Sequence, residues 1–89
     1  MGYNYETEKQ WLFTDDGQRA LFKAADNARE LLRKSGAFMS FKALNGVGYG
    51  DTFMAMAILD RLVELGDIRE VTGAGTWGQD RIFTEARRK

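Results

Sequence analysis

Hydrophobic positions along the chain fall into segments with different periods. Between residues 15 and 35, Leu21, Ala24, Ala25, Ala28, Leu31 and Leu32 recur at steps of three and four. Arg19, Lys23, Asp26, Glu30 and Arg33 fill the opposite side, which predicts an amphipathic helix. Asp15, with Gln18 three residues on, has the form of a capping box, and Gly36 is a helix stop. Ala37, Phe38 and Met39 read as an apolar link, and Ser40 as the cap of a brief helix reaching Asn45. Three glycines between 46 and 50 break that helix. Asp51 and Thr52 open a third helix running to about Leu65. Its inward stripe is Ala55, Ile58, Leu59, Leu62 and Leu65; its outward stripe lies near Phe53, Met56, Ala57, Asp60 and Glu64. Gly66 ends it. Residues 68–71 and 81–84 alternate as two strands of a hairpin. Residues 1–14 carry Tyr3, Tyr5, Trp11, Leu12 and Phe13 without helical period, and read as an extended segment that packs on the domain or on a partner.

The order is therefore helix, short helix, turn, helix, hairpin. The string LDRLVELGDIREV at residues 59–71 resembles the end of a winged-helix third helix running into its wing. The string QDRIFT at residues 79–84 is similar to the returning strand. The resemblance covers roughly residues 15–85, most closely 38–85, and extends to small winged-helix proteins of bacterial phages and prophages. It implies an α+β winged-helix domain over residues 15–85 with a two-stranded wing, preceded by an extended segment at 1–14 and followed by a basic tail at 86–89. A core drawn from Phe38, Phe41, Leu44, Ile58, Leu62, Leu65, Ile68 and Phe83, with Leu21, Ala28 and Leu31, suits that layout. Each large side chain among them contributes about 1.5–3 kcal/mol when buried.

Composition narrows the chemistry. The 89 residues contain no His, Cys or Pro. Imidazole bases, thiol nucleophiles, disulfides and the usual zinc sites are absent with them. The glycine string at 73–78 fits G-x-G-x-x-G, but a strand follows it where dinucleotide binding needs a helix. Asp15, Asp16 and Asp51 are explained by helix capping. Asp60, Glu64 and Asp67 share one helical face and read as solvated. The residues thus predict a protein that is not an enzyme and has no metal or cofactor. No apolar run reaches membrane-spanning length and no signal peptide opens the chain, so the expected location is the cytoplasm.

Charge bears on the partner. Thirteen basic residues balance thirteen acidic ones. The balance conceals a basic first helix and tail set against an acidic third helix, whose outward stripe has no Arg, Asn or Gln to address base edges. Two functions follow. The family resemblance implies a DNA-binding regulator of the transcriptional or phage/prophage kind. Its contacts with double-stranded DNA would come from Lys42, Tyr49, Thr52, Thr76, Trp77, Gln79 and Arg81. The alternative is a protein-interaction or dimerisation module that does not read DNA through its third helix. Phe53, Met56, Trp77 and Trp11 would then face a second copy or another protein.

Overall fold

The computed structural model describes residues 2–72 and 81–86. It shows an α+β domain in which about three main helices accompany a three-stranded antiparallel sheet. The elements are α1 (Tyr5–Glu8), a 3-10 helix (Lys9–Phe13), α2 (Asp15–Ser35), β1 (Ala37–Met39), α3 (Ser40–Ala43), α4 (Thr52–Glu64), β2 (Ile68–Glu70) and β3 (Ile82–Glu85).

The long helices start and stop where side-chain chemistry tells them to. Thr14, not Asp15, caps α2: its extended backbone presents Oγ1 to the Gly17 N–H at 3.1 Å. Gln18 does not complete a capping box. Its side-chain amide turns back and donates to the Leu12 carbonyl at 2.6 Å, fixing the preceding 3-10 helix. Gly36 closes α2 in the left-handed conformation, with φ of 79°. Asp51 caps α4 as its sequence implies, accepting from the Met54 N–H at 2.9 Å.

Several expectations are corrected by tertiary context. Residues 5–13 are helical rather than extended. Asn4 caps α1 by accepting from the Thr7 N–H at 3.2 Å. The aromatic segment does pack on the domain: Leu12 is fully buried, and Tyr3, Tyr5 and Trp11 lie against the core. Residues 37–39 form a third strand, so the sheet is not a bare hairpin. β1 and β2 flank β3, with Phe38 opposite Phe83 and Glu70 also opposite Phe83. Ser40 makes no helix cap. It is buried, with its hydroxyl 3.3 Å from the Arg81 carbonyl and its N–H bonded to the same oxygen at 3.0 Å.

The core takes Leu12, Leu21, Ala28, Phe38, Ile58, Leu62, Ile68 and Phe83, and the Phe38 and Phe83 rings stack at 5.6 Å. Phe41 and Leu65, assigned to it from sequence, are about half exposed. α3 is a single turn whose inward side is taken by Ser40 and Ala43, and Leu65 lies past the last turn of α4. Ala57, placed on the outward stripe of the third helix, is fully buried. The N-terminal helices account for that, because they pack across α4.

Candidate functional site

The surface of α4 decides how this domain can meet a partner. From Phe53 to Val63 no residue is fully exposed. One side of the helix faces the core. The other lies under the N-terminal segment, where the Tyr3 ring sits 5.8 Å from that of Phe53. The Tyr3 hydroxyl donates to Asp60 Oδ2 at 2.7 Å, and the Tyr5 hydroxyl donates to Glu64 at 2.5 Å. Lys9 adds a weaker contact, its Nζ 3.8 Å from Glu64. Burial and the Asp60 carboxylate hold the Tyr3 hydroxyl well above the ordinary tyrosine range. Burial and Glu64 push that of Tyr5 up to about 12. Both phenols therefore remain donors at neutral pH. α4 is thus packed against the core on one side and covered by the N-terminal segment on another, with Asp60 and Glu64 hydrogen-bonded to tyrosine hydroxyls.

Arg81 is the second departure from the sequence reading. Expected among the wing contacts, it is only 7 % exposed. Its Nη2 donates to Asp60 Oδ1 at 2.6 Å and to Glu70 Oε1 at 2.7 Å, and its Nε donates to Glu70 Oε2 at 2.9 Å. The guanidinium carbon lies 5.1 Å from the centre of the Phe83 ring. Burial alone would lower the pKa of this group, but the hydrogen bonds and charges of Glu70 and Asp60 outweigh it and leave it raised. Asp60 thus accepts from Tyr3 on one oxygen and Arg81 on the other. The arginine is engaged inside the fold rather than offered to phosphate. A cation inward-facing on a strand that alternates so regularly gives no sign of this in the sequence, since its two partners come from α4 and β2.

A different set of residues converges at the turn between α3 and α4. Asn27 on α2 holds that turn in place, its side-chain amide donating to the Ala43 and Asn45 carbonyls, both at 2.9 Å. Lys42 and Thr52 are exposed on either side of it, and Tyr49 is 42 % exposed at its tip. Beside the turn, against the first half of α2, runs an open groove of about 590 Å³. Trp11, Met54 and Tyr49 supply its apolar surface, and Asp16, Arg19 and Lys23 its charges. Arg19 is ion-paired to Asp16. Lys23 and Lys42 have no ion-pair partner among the described residues.

A third surface is apolar. Met39 stands opposite Ile82, and the Val71 N–H bonds to the Ile82 carbonyl at 2.8 Å. Met39 of β1, Ile82 of β3 and Val71, the residue just past β2, therefore form one row on the face turned away from Phe38 and Phe83. Met39 and Ile82 are more than one-third exposed and Val71 more than half.

Of the residues singled out in the sequence, Lys42 lies in α3, Tyr49 in the turn and Thr52 at the start of α4, and of these three Tyr49 alone lines the groove. Phe53 lies partly buried under Tyr3, and Met56 is partly buried on α4. Trp11 is packed against the core and lines the groove. Thr76, Trp77 and Gln79 lie outside the described residues, as do the glycine string at 73–78 and the basic residues 87–89. Among the described residues there is no cluster of three or more metal-ligating side chains, and no helix is long and apolar enough to cross a membrane. Comparison with protein-family models, curated proteins and solved structures gives no match for this chain.

Proposed function

We propose that the chain is a winged-helix DNA-binding protein, a small regulator that meets duplex DNA at the α3–α4 turn. One observation carries the reading: the order α2, β1, α3, α4, β2, β3, with β3 central in the sheet. A strand between the first two of those helices, pairing with the last strand of the sheet, is what a winged helix would place there, and it supports that reading. The proposed contact set is Lys42, Tyr49 and Thr52, with Thr76, Trp77 and Gln79, which lie outside the described residues. Arg81 is not in it, because its guanidinium is engaged by Asp60 and Glu70. The test is titration against a random-sequence duplex at two salt concentrations. Binding at low salt that weakens steeply with added salt supports the reading through counterion release. Absence of binding at low salt overturns it.

A second reading rests on the apolar row Met39, Ile82 and Val71. These three side chains suit a protein-interaction or dimerisation module of the same fold. Light scattering of the free protein separates the two, since a strict monomer that binds DNA needs no such module.

A further inference from the structure

We infer that the DNA-facing surface is the groove between α2 and the α3–α4 turn, where it seats a sugar-phosphate strand, and that α4 enters neither groove of the duplex. This rests on the DNA-binding reading above and fixes the face and manner of contact. Three observations converge on it.

The first is the enclosure of α4. Its outward carboxylates are occupied by tyrosine hydroxyls, and a strand of phosphates brought to that face would meet Asp60 and Glu64. The second is the location of Lys23 and Lys42, two of the cations that, like Arg69, have no ion-pair partner among the described residues. Lys42 flanks the turn on one side. Lys23, one helical turn before Asn27, flanks it on the other, with its Cε 3.7 Å from where a side chain on Gly46 would begin. The third is the shape and lining of the groove itself. Gly46, Gly48 and Gly50 line its rim, and the space a side chain would fill at Gly48 is open, so a sugar-phosphate strand could approach the main chain closely there. Tyr49 on the rim supplies a hydroxyl, and Trp11 and Met54 give the sugar an apolar floor. Asp16 is the single acid in the lining, and Arg19 is paired with it. Contacts of this kind are to phosphate and sugar, which carry no sequence information. The binding is therefore indifferent to base sequence.

The experiment uses the full chain and fluorescently labelled duplexes of two unrelated sequences, followed by anisotropy at several salt concentrations. Both duplexes are expected to bind within about threefold of each other, as for backbone contacts alone. Lys23→Gln and Lys42→Gln each weaken binding roughly three- to tenfold at low salt and reduce the slope of log affinity against log salt by about 0.9. Asp16→Asn releases Arg19 and strengthens binding roughly two- to fivefold. All three side chains are exposed, so thermal melting confirms that the variants remain folded. A wild-type chain that binds no duplex at low salt removes the DNA reading altogether. Duplex binding that survives both lysine changes, but is lost with Met56→Glu, places α4 on the DNA and overturns this inference alone. Polyglutamate binding as tightly as a duplex of equal charge also overturns it, by making the groove a site for acidic protein segments.

Discussion

Arg81 and Gly17 each occupy a position that their residue type alone would not assign. Arg81 lies among Asp60, Glu70 and the Phe83 ring, and removing it strands two carboxylates. Arg81→Ala is expected to lower stability by about 3–5 kcal/mol, as for breaking a buried ion pair from one side; urea unfolding measures it. The same cluster gives stability an acid limit. Glu70 is held below its ordinary value of 4.5, chiefly by the hydrogen bond from Arg81. A carboxyl depressed in the folded state contributes fully above its unfolded value and loses that contribution as pH falls through the folded one. Melting temperature should therefore fall as pH drops below about 4.5, and Glu70→Gln should flatten that fall. Gly17 sits in the first turn of α2, where alanine would ordinarily favour a helix. Here an added Cβ would come within 2.1 Å of the Trp11 carbonyl oxygen and 2.6 Å of the Leu12 Cα. Gly17→Ala is expected to destabilise by about 1–3 kcal/mol or more, because backbone, not a movable side chain, stands in the way.

At the scale of elements, the N-terminal helices and α4 form one unit joined by phenol–carboxylate hydrogen bonds. Tyrosines whose folded pKa is raised stabilise fully below their unfolded value and cease to do so as pH climbs through the folded one. The Tyr5 contact with Glu64 should loosen between the ordinary tyrosine value of 10.0 and about 12, while Tyr3, raised further, holds to higher pH. Tyrosinate absorbance shows the titration, and Tyr3→Phe with Tyr5→Phe should abolish the linked drop in stability. These elements also mark what the sequence discloses. α2 and α4 were legible because many turns repeat one apolar spacing between strong caps. β2 and β3 were legible by alternation bounded by glycine. Residues 5–13 were not, since one α-turn followed by one 3-10 stretch is too short to show a period. β1 has three residues and becomes a strand only by pairing with Phe83 and its neighbours, more than forty positions on. The burial of Ala57 and the engagement of Arg81 depend on which elements pack together, and local patterns carry no information about that. The placement of Lys42, Tyr49 and Thr52 around the turn was legible for the opposite reason: glycine breaks and a helix cap fix it locally. Lys23 belonged to the solvated side of a helix until Asn27 fixed the turn beside it.

For the molecule as a whole, charge neutrality is a matter of distribution. The acids of α4 are turned toward tyrosines and Arg81, while Lys23 and Lys42 keep their charge for solvent or a partner. The apolar row on the outer sheet face is the other unspent surface. If copies associate through it, Val71→Lys should shift light scattering toward the monomer, with stability changed by no more than about 0.5 kcal/mol for a side chain more than half exposed. The double use of Asp60 has a consequence for cooperativity. One carboxylate joins a residue 57 positions before it to another 21 positions after it. The N-terminal layer and the start of β3 therefore share a single anchor on α4. Opening either one is expected to loosen the other's hold, so the two should exchange amide protons as one unit.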